Sequence, residues 1–350
     1  MNKRVMVALS GGVDSSVAAY LLKKDGFETV GVTMCLGIKR EDSSACCGAE
    51  AINDAKKVCD KLGIAHDVLN FSNDLEDKVV APFVNSYLQG LTPNPCVDCN
   101  KYLKFDLLLR KALSLDFNYL ATGHYAGIVQ RAGSYFLKKA ADQTKDQTYF
   151  LYAIDKSALK HIQFPLENLS KKQVRELAAQ ADLPVAQKKE SQDICFVPDH
   201  DYAKFVQARK GKVPAGNIVD TAGKVLGKHK GIIFYTIGQR QGLGIGGGEP
   251  YYVVSIDAKN NLLVVGEKKD LLARGLIAED VNLFFDSLPQ NLFVKIRYNS
   301  KETAARAVLK NNRLEIIFDE PQSAVTPGQS VVLYDQDIVL GGGVIAQAIK

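Results

Sequence analysis

The sequence predicts an α/β fold built on a doubly wound parallel sheet, followed by a small, mostly β central domain and a C-terminal β-barrel. Three observations predict it. In the first third, short continuous apolar runs alternate with segments of helical periodicity, as in sheets covered on both faces by crossover helices. A Gly-rich turn joins the first apolar run to the first helical segment. After about residue 205 the apolar runs become short and β-branched, and Gly, Asn and Asp separate them.

Val5-Met6-Val7-Ala8-Leu9 reads as a buried parallel strand. A helix follows, with Val17, Ala18, Leu21 and Leu22 on one face and Gly26 as its stop. Thr29–Met34 reads as a second strand, Ala49–Leu62 as a helix and His66–Phe71 as a third strand. Helical stretches near Leu75–Leu88 and Lys104–Ser114 precede a strand at Tyr119-Leu120-Ala121-Thr122. Leu166–Leu183 predicts one more helix, with Ser170 as N-cap and Pro184 after its end. Strand-like runs then fall at Tyr251–Ile256, Leu262–Val265, Leu292–Tyr298, Arg313–Phe318 and Ser330–Tyr334, with hairpins expected around Lys259-Asn260-Asn261 and Lys310-Asn311-Asn312. The expected domains are residues 1–200, 205–268 and 272–350.

With 350 residues and 46% hydrophobic content, the chain can bury sizeable cores. No run approaches the roughly 20 apolar residues of a spanning helix, which excludes membrane integration of that kind. The basic start Asn2-Lys3-Arg4 precedes too short an apolar stretch for a secretory signal, so a cytoplasmic location is expected. Seven cysteines in a reducing compartment read as metal-binding, redox or buried residues rather than a disulfide framework. Between residues 138 and 240 there are 18 Lys and Arg against 11 Asp and Glu, an excess of +7 in a chain of +5 overall. Such asymmetry suits a polyanion-binding surface, although a solvated basic face has the same composition.

The strongest chemical signal is Ser10-Gly11-Gly12-Val13-Asp14-Ser15-Ser16, between strand and helix. Such a turn aims successive N–H groups at one point, and the helix dipole adds positive potential, so the pair binds phosphate. The serines can donate hydroxyls, and Asp14 could hold Mg²⁺. No Gly-Lys-Ser/Thr closes it, so it is not a Walker loop. It resembles the pyrophosphatase-type loop of ATP-using adenylating enzymes.

A second signal is a pair of cysteine sites. Thr92-Pro93-Asn94-Pro95-Cys96-Val97-Asp98-Cys99-Asn100-Lys101 reads as a proline-stiffened loop entering a helix, where the dipole and Lys101 would favour a Cys99 thiolate. Ser191-Gln192-Asp193-Ile194-Cys195-Phe196 places another cysteine in a polar stretch. The Cys96-x-x-Cys99 pair alone could be half of a zinc site, but nothing in the sequence completes it. Cys35, Cys46, Cys47 and Cys59 read as buried or incidental. Gly242–Gly247 matches a dinucleotide fingerprint formally, yet a strand follows it instead of a helix. His124 follows a strand, where α/β sheets bind ligands, although an isolated histidine is more often structural.

These strings stand in one order with Lys145-Asp146-Gln147-Thr148-Tyr149-Phe150-Leu151, Gly238-Gln239-Arg240 and Thr326-Pro327-Gly328-Gln329. Together they resemble the tRNA-specific 2-thiouridylase family over nearly the whole chain. The resemblance implies an adenine-nucleotide α-hydrolase-like topology and ATP-dependent 2-thiolation of the wobble uridine of tRNAs for Lys, Glu and Gln. It implies ATP contacts at Ala8, Leu9, Ser10, Gly11, Gly12, Val13, Asp14, Ser15, Met34 and Gly123. Cys195 would carry a persulfide and Cys99 would be the nucleophile, the two ending as a disulfide. Asn94, Pro95 and Cys96 would line the target base, and His124, Lys145, Asp146, Gln147, Tyr298, Asn299 and Gln329 would contact tRNA. A cysteine desulfurase or a sulfur-relay protein would be the sulfur donor.

The family commonly has an aspartate, assigned a base-like role, where this chain has Cys96. A third cysteine beside Cys99 and Cys195 makes an iron–sulfur cluster a second conceivable route for sulfur. The rival readings are another adenylating enzyme of the same loop class, or a non-catalytic RNA-binding or sulfur-carrier protein. The intact loop from Ser10 to Ser16 argues against a carrier, which has no use for ATP.

Overall fold

The central strand Arg4–Ala8 (β1) is apolar on both faces, with Val5, Met6 and Val7 all buried, which requires neighbours on both sides. It pairs in parallel with Glu28–Cys35 (β2) on one side and Tyr119–Ala121 on the other. The whole sheet is parallel in the order Ala65–Asn70, β2, β1, Tyr119–Ala121, Ile162–Gln163. The chain therefore winds outward from β1, then returns to its other side. The strand order reverses between β1 and Tyr119–Ala121, and ligands bind outside the carboxyl ends of strands at such a point.

The computed structural model describes residues 3–39, 46–189, 194–197, 201–246 and 250–350. Two compact units emerge. One comprises Met1–Val79, Cys96–Phe196 and Asp337–Val339; the other comprises Val80–Pro95, Val197–Gln336 and Leu340–Lys350. In the first, helix Val13–Lys24 (α1) and helix Ala49–Leu62 bury Val17, Ala18, Ala19, Ala55, Val58 and Leu62 against the sheet. Gly26 follows the end of α1 with φ +83°, the left-handed stop expected there.

Several boundaries differ from the sequence expectation. The helix expected from Lys104 begins at Pro95 and runs through Pro95–Asp98, Cys99–Leu108 and Leu109–Ser114, its middle part wound in the wider π form. Proline fits the first helical position because its missing N–H has no partner there. The last helix of this unit begins at Lys171, not Leu166. Ser170 and Gln173 form a capping box that fixes its start, so residues 166–169 lie outside it. An unanticipated hairpin pairs Gly127–Arg131 with Ser134–Lys138, turning at Ala132 and Gly133, both with positive φ.

The second unit is mostly β beyond its helices Ala81–Leu88 and Tyr202–Lys210. Strands Val225–His229, Gly216–Asp220, Leu262–Gly266 and Tyr252–Asp257 form a four-stranded sheet over Ile218, Val253, Leu263 and Val265. A closed barrel follows, from Leu272–Leu283 to Ile338–Ile349, whose antiparallel pairing to each other seals it. Both Asn-rich hairpins form, and Asn311 and Asn312 carry the positive φ values that a two-residue turn between Lys310 and Arg313 demands. Leu292–Lys295 ends before Tyr298 because the chain turns at Arg297, whose N–H donates to Ser300 Oγ. Gly242–Gly246 is irregular and leads toward a strand, as expected; residue 247 lies outside the described residues.

Candidate functional site

The Gly-rich turn sits at the carboxyl end of β1, where the strand order reverses. Gly11 has φ +69°, and a Cβ there would stand 2.5 Å from the carbonyl oxygen of Ala51. Gly12 is the N-cap of α1 and has no side chain to cap it, so the first N–H groups of α1 have no side-chain acceptor from that residue. The Ser15 hydroxyl accepts from the N–H of Ser10 at 3.2 Å, and Ser16 Oγ donates to the carbonyl of Gly12 at 2.8 Å. Gly123, just beyond Tyr119–Ala121, closes the other side: a Cβ there would stand 2.4 Å from the backbone nitrogen of Ser15. Leu9 donates its N–H to Val32 at 2.8 Å, and Met34 lies half-buried near the end of β2. Ala8 through Ser15, Met34 and Gly123 thus fall on neighbouring strand ends.

Asp14 departs from its expected role. It lies in the first turn of α1, and both carboxylate oxygens are engaged. Lys171 Nζ donates to them at 2.7 and 2.8 Å, and the Tyr125 hydroxyl donates to Oδ1 at 3.0 Å. A Mg²⁺ ligand needs oxygens open to a hard cation. This carboxylate, already facing an ammonium, does not fit that role.

The cysteine expectation is met in part and corrected in part. Cys96 is exposed and Cys99 half-buried, both in the first turns of the helix beginning at Pro95. The anticipated lowering of the Cys99 thiol by Lys101 is absent. Burial pushes that thiol up, Lys104 pulls the other way, and Asp98 adds to the rise. Lys101 instead stands over the Tyr102 ring at 4.9 Å. Lys104 Nζ donates to Asn100 Oδ1 at 2.9 Å, and Asn100 Nδ2 donates to the Phe150 carbonyl at 3.0 Å, which fixes the ammonium near the cysteines. Cys195 is raised by the dense protein around it, then by Cys99 and Cys96, against Lys104. Cys96 is raised as well, again first by its surroundings. Cys96 and Cys195 both reach solvent; Cys99 and Asp98 add to the rise of Cys96, and Cys99 and Cys96 to that of Cys195, with Lys104 opposing both. The fold thus brings three cysteines and one lysine into electrostatic range. Among the described residues no three His, Cys, Asp or Glu side chains stand close enough together to hold a metal ion. Residues 191–193 of the Cys195 motif, and the side chains of Cys46 and Cys47, lie outside the described residues. Cys59 is buried, as expected.

The expected tRNA contacts divide into two kinds. Lys145 is half-buried, and Asn299 is exposed in the turn after Arg297 beside half-buried Tyr298. By contrast, Asp146 is buried: Oδ1 accepts from the N–H of Ala140 at 3.0 Å and Oδ2 from Thr148 at 2.5 Å. Gln147 Oε1 accepts from the N–H of Tyr125 at 2.9 Å, which braces the segment next to His124. The His124 ring packs near Phe105 and Phe164, its Nδ1 2.7 Å from Thr122 Oγ1. Burial and then Lys104 hold it well below the usual histidine range, so it stays neutral.

In the second unit, Gln329 Nε2 donates to the carbonyl of Thr92 at 2.9 Å, and Thr92 donates its N–H to Pro327 at 3.0 Å. Gly328, with φ +91°, lies so close that a Cβ would stand 2.8 Å from the Thr92 nitrogen. The Thr326-Pro327-Gly328-Gln329 turn therefore clamps the segment that continues into Asn94 and Pro95. Gly328→Ala is expected to cost about 1–2 kcal/mol in backbone strain. Scanning calorimetry of the full chain should show a lowered melting midpoint, and ATP affinity should not change.

Lys104, Tyr125 and Lys171 escaped the sequence reading. Lys171 carried a usable signal: a lysine at the first position of a helix faces the positive end of the dipole and calls for a partner.

Family models described as the tRNA methyl transferase HUP domain, the tRNA methyl transferase PRC-barrel domain and the aminomethyltransferase beta-barrel domain match residues 3–199, 203–267 and 273–345. The chain is 52% identical over 350 residues to the tRNA-specific 2-thiouridylase MnmA 1 of Syntrophus aciditrophicus, covering 100% of this chain and 94% of that protein. It is 48% identical to the tRNA-specific 2-thiouridylase MnmA of Carboxydothermus hydrogenoformans, covering 99% and 98%. A solved structure, the U34-tRNA thiolase NcsA from Methanococcus maripaludis with its [4Fe-4S] cluster, covers 59% of this chain and 66% of its own at 20% identity, with a TM-score of 0.36.

Proposed function

Because this chain belongs to the tRNA-specific 2-thiouridylase family, we propose that it is an ATP-dependent tRNA-uridine 2-sulfurtransferase acting on the wobble uridine. The observation that carries the reading is Cys195, which is remote in sequence from Cys99 yet shares its electrostatic environment, within the unit that holds the phosphate-binding turn. The matched models are described by methyl transfer, but an adenylating turn with paired cysteines is the equipment of sulfur transfer.

The α1 N–H groups and the Ser10–Ser15 turn hold the triphosphate of ATP. The uridine C2 oxygen attacks the α-phosphorus, pyrophosphate leaves, and C2 acquires AMP as a leaving group. Cys195 holds the sulfur as a persulfide, whose terminal sulfur displaces AMP and leaves a C2–S–S–Cys195 linkage. The Cys99 thiolate attacks Cys195 Sγ. The linkage breaks, the electron pair leaves with the thiouridine, and a Cys99–Cys195 disulfide remains. Lys104 lowers the cost of forming that thiolate. A cysteine desulfurase or relay protein reloads Cys195 after an external reductant opens the disulfide. Asn94, Pro95 and Cys96 contact the splayed base, in keeping with how single-stranded loops are read. The cytoplasm is the compartment where ATP and tRNA meet.

The tRNA part has its own test. Affinity should fall steeply with salt, because cations released from tRNA phosphates drive binding to the basic stretch of residues 138–240. Lys145→Ala should weaken binding and reduce the slope of log affinity against log salt by about 1. A flat response in the parent protein would leave the basic stretch as a solvated face.

A further inference from the structure

The pairing of Asp14 with Lys171 has a consequence for how the phosphate turn takes a nucleotide. Asp14 stands in the first turn of α1, where a carboxylate suits the helix dipole but also stands beside the N–H groups meant for phosphate. Left alone, it would repel a triphosphate. Lys171 spans it with bonds to both oxygens, and the side chains of the pair are only 13% and 31% exposed. Tyr125 adds a third donor and lies 5.9 Å beneath the same ammonium.

Lys171 is also fixed through its backbone. Its N–H donates to Asp142 Oδ2 at 3.0 Å, while Asp142 Oδ1 accepts from the Thr144 hydroxyl at 2.6 Å. The capping box at Ser170 sets the start of the helix. The ammonium is thus held at the positive end of its own helix dipole, where a lysine is otherwise disfavoured, and delivered to the start of α1. Three of the roughly four acceptor sites of the Asp14 carboxylate are taken.

We propose that Asp14 serves as the counter-charge of Lys171 and not as a Mg²⁺ ligand, and that Lys171 is the positioning residue that keeps the phosphate turn neutral toward ATP. This deepens the nucleotide role proposed above and rests on it. Removing the lysine exposes a bare carboxylate to the triphosphate. Removing both charges restores a neutral turn.

The test is equilibrium binding of ATP and of AMP to the full chain by titration calorimetry, with Mg²⁺ and with excess EDTA. Lys171→Met should weaken ATP binding by about tenfold or more and AMP binding less, since AMP carries fewer charges. Lys171→Arg should stay near the parent. Asp14→Asn, which leaves the Lys171 charge unopposed beside the turn, should bind ATP at least as tightly as the parent, and Lys171→Met combined with Asp14→Asn should recover most of the affinity lost in Lys171→Met. Recovery in the double variant also excludes misfolding as the cause of the single loss. The proposal is overturned if Asp14→Asn abolishes the Mg²⁺-dependent part of ATP binding and the double variant is no better than Lys171→Met. Parent-like ATP binding by Lys171→Met overturns it too. Absence of ATP binding by the parent itself would instead remove the nucleotide role on which it rests.

Discussion

Cys99→Ser and Cys195→Ser are each expected to lower single-turnover thiolation by on the order of 10³-fold or more while leaving tRNA affinity unchanged. A serine hydroxyl cannot carry a persulfide, and its far higher pKa leaves it without a usable nucleophile. The surroundings raise both thiols, and the Lys104 charge opposes that rise. Combining the two variants should cost little more than either alone, because the residues act as one unit. Cys96→Asp completes the series. Sulfur transfer through a persulfide and disulfide leaves this variant active, since the family commonly carries a carboxylate there. A cluster route would cost it iron and turnover together, because carboxylate oxygen is a harder ligand than thiolate. Iron content and thiolation measured without oxygen on parent and variant decide between the two routes.

Gly123→Ala should strongly damage nucleotide use. The added Cβ would lie 2.4 Å from the Ser15 nitrogen and 2.6 Å from the Asp14 carbonyl carbon, both backbone atoms of α1 that cannot swing aside. Either the turn after Tyr119–Ala121 or the start of α1 must move by a fraction of an ångström to about an ångström. A displacement of that size would misaim the N–H groups proposed to hold the phosphates, and misplacement on this scale costs about 10²-fold in rate. The expected result is a comparable loss of tRNA-dependent AMP formation with tRNA binding retained. Wild-type AMP formation would mean that this close approach has no part in nucleotide use.

Much of this is legible in the sequence. The alternation from Val5 to Thr122 gave the parallel sheet because strands buried on both faces must be apolar throughout. The Asn-rich hairpins were visible because positive φ at two successive residues restricts sequence choice so strongly. The start of the helix at Pro95 is hidden in the sequence, because Pro93 and Pro95 so close together look like chain stiffening, whereas Pro95 occupies the first helical position, which tolerates it. Ser170 was identified as a cap, but the apolar pattern from Leu166 carried the expected helix one turn too far. The roles of Lys171 and Lys104 were hidden for a different reason. Each depends on partners brought close by folding: Asp14 is 157 positions from Lys171, and Cys195 is far from Lys104. Asp14, in a turn that reads as phosphate-binding, suggests a cation ligand, and only its neighbours show that an ammonium already engages it.

The most direct measurement is the stoichiometry of a single turnover on unmodified tRNA, with the Cys195 persulfide loaded and oxygen excluded. AMP, pyrophosphate and 2-thiouridine would be quantified together, and the protein's disulfides mapped by mass spectrometry. One AMP and one pyrophosphate per thiouridine, none of them without tRNA, and a Cys99–Cys195 disulfide afterwards is the expected result. AMP formation that proceeds without tRNA, or thiouridine formed without AMP, would contradict it.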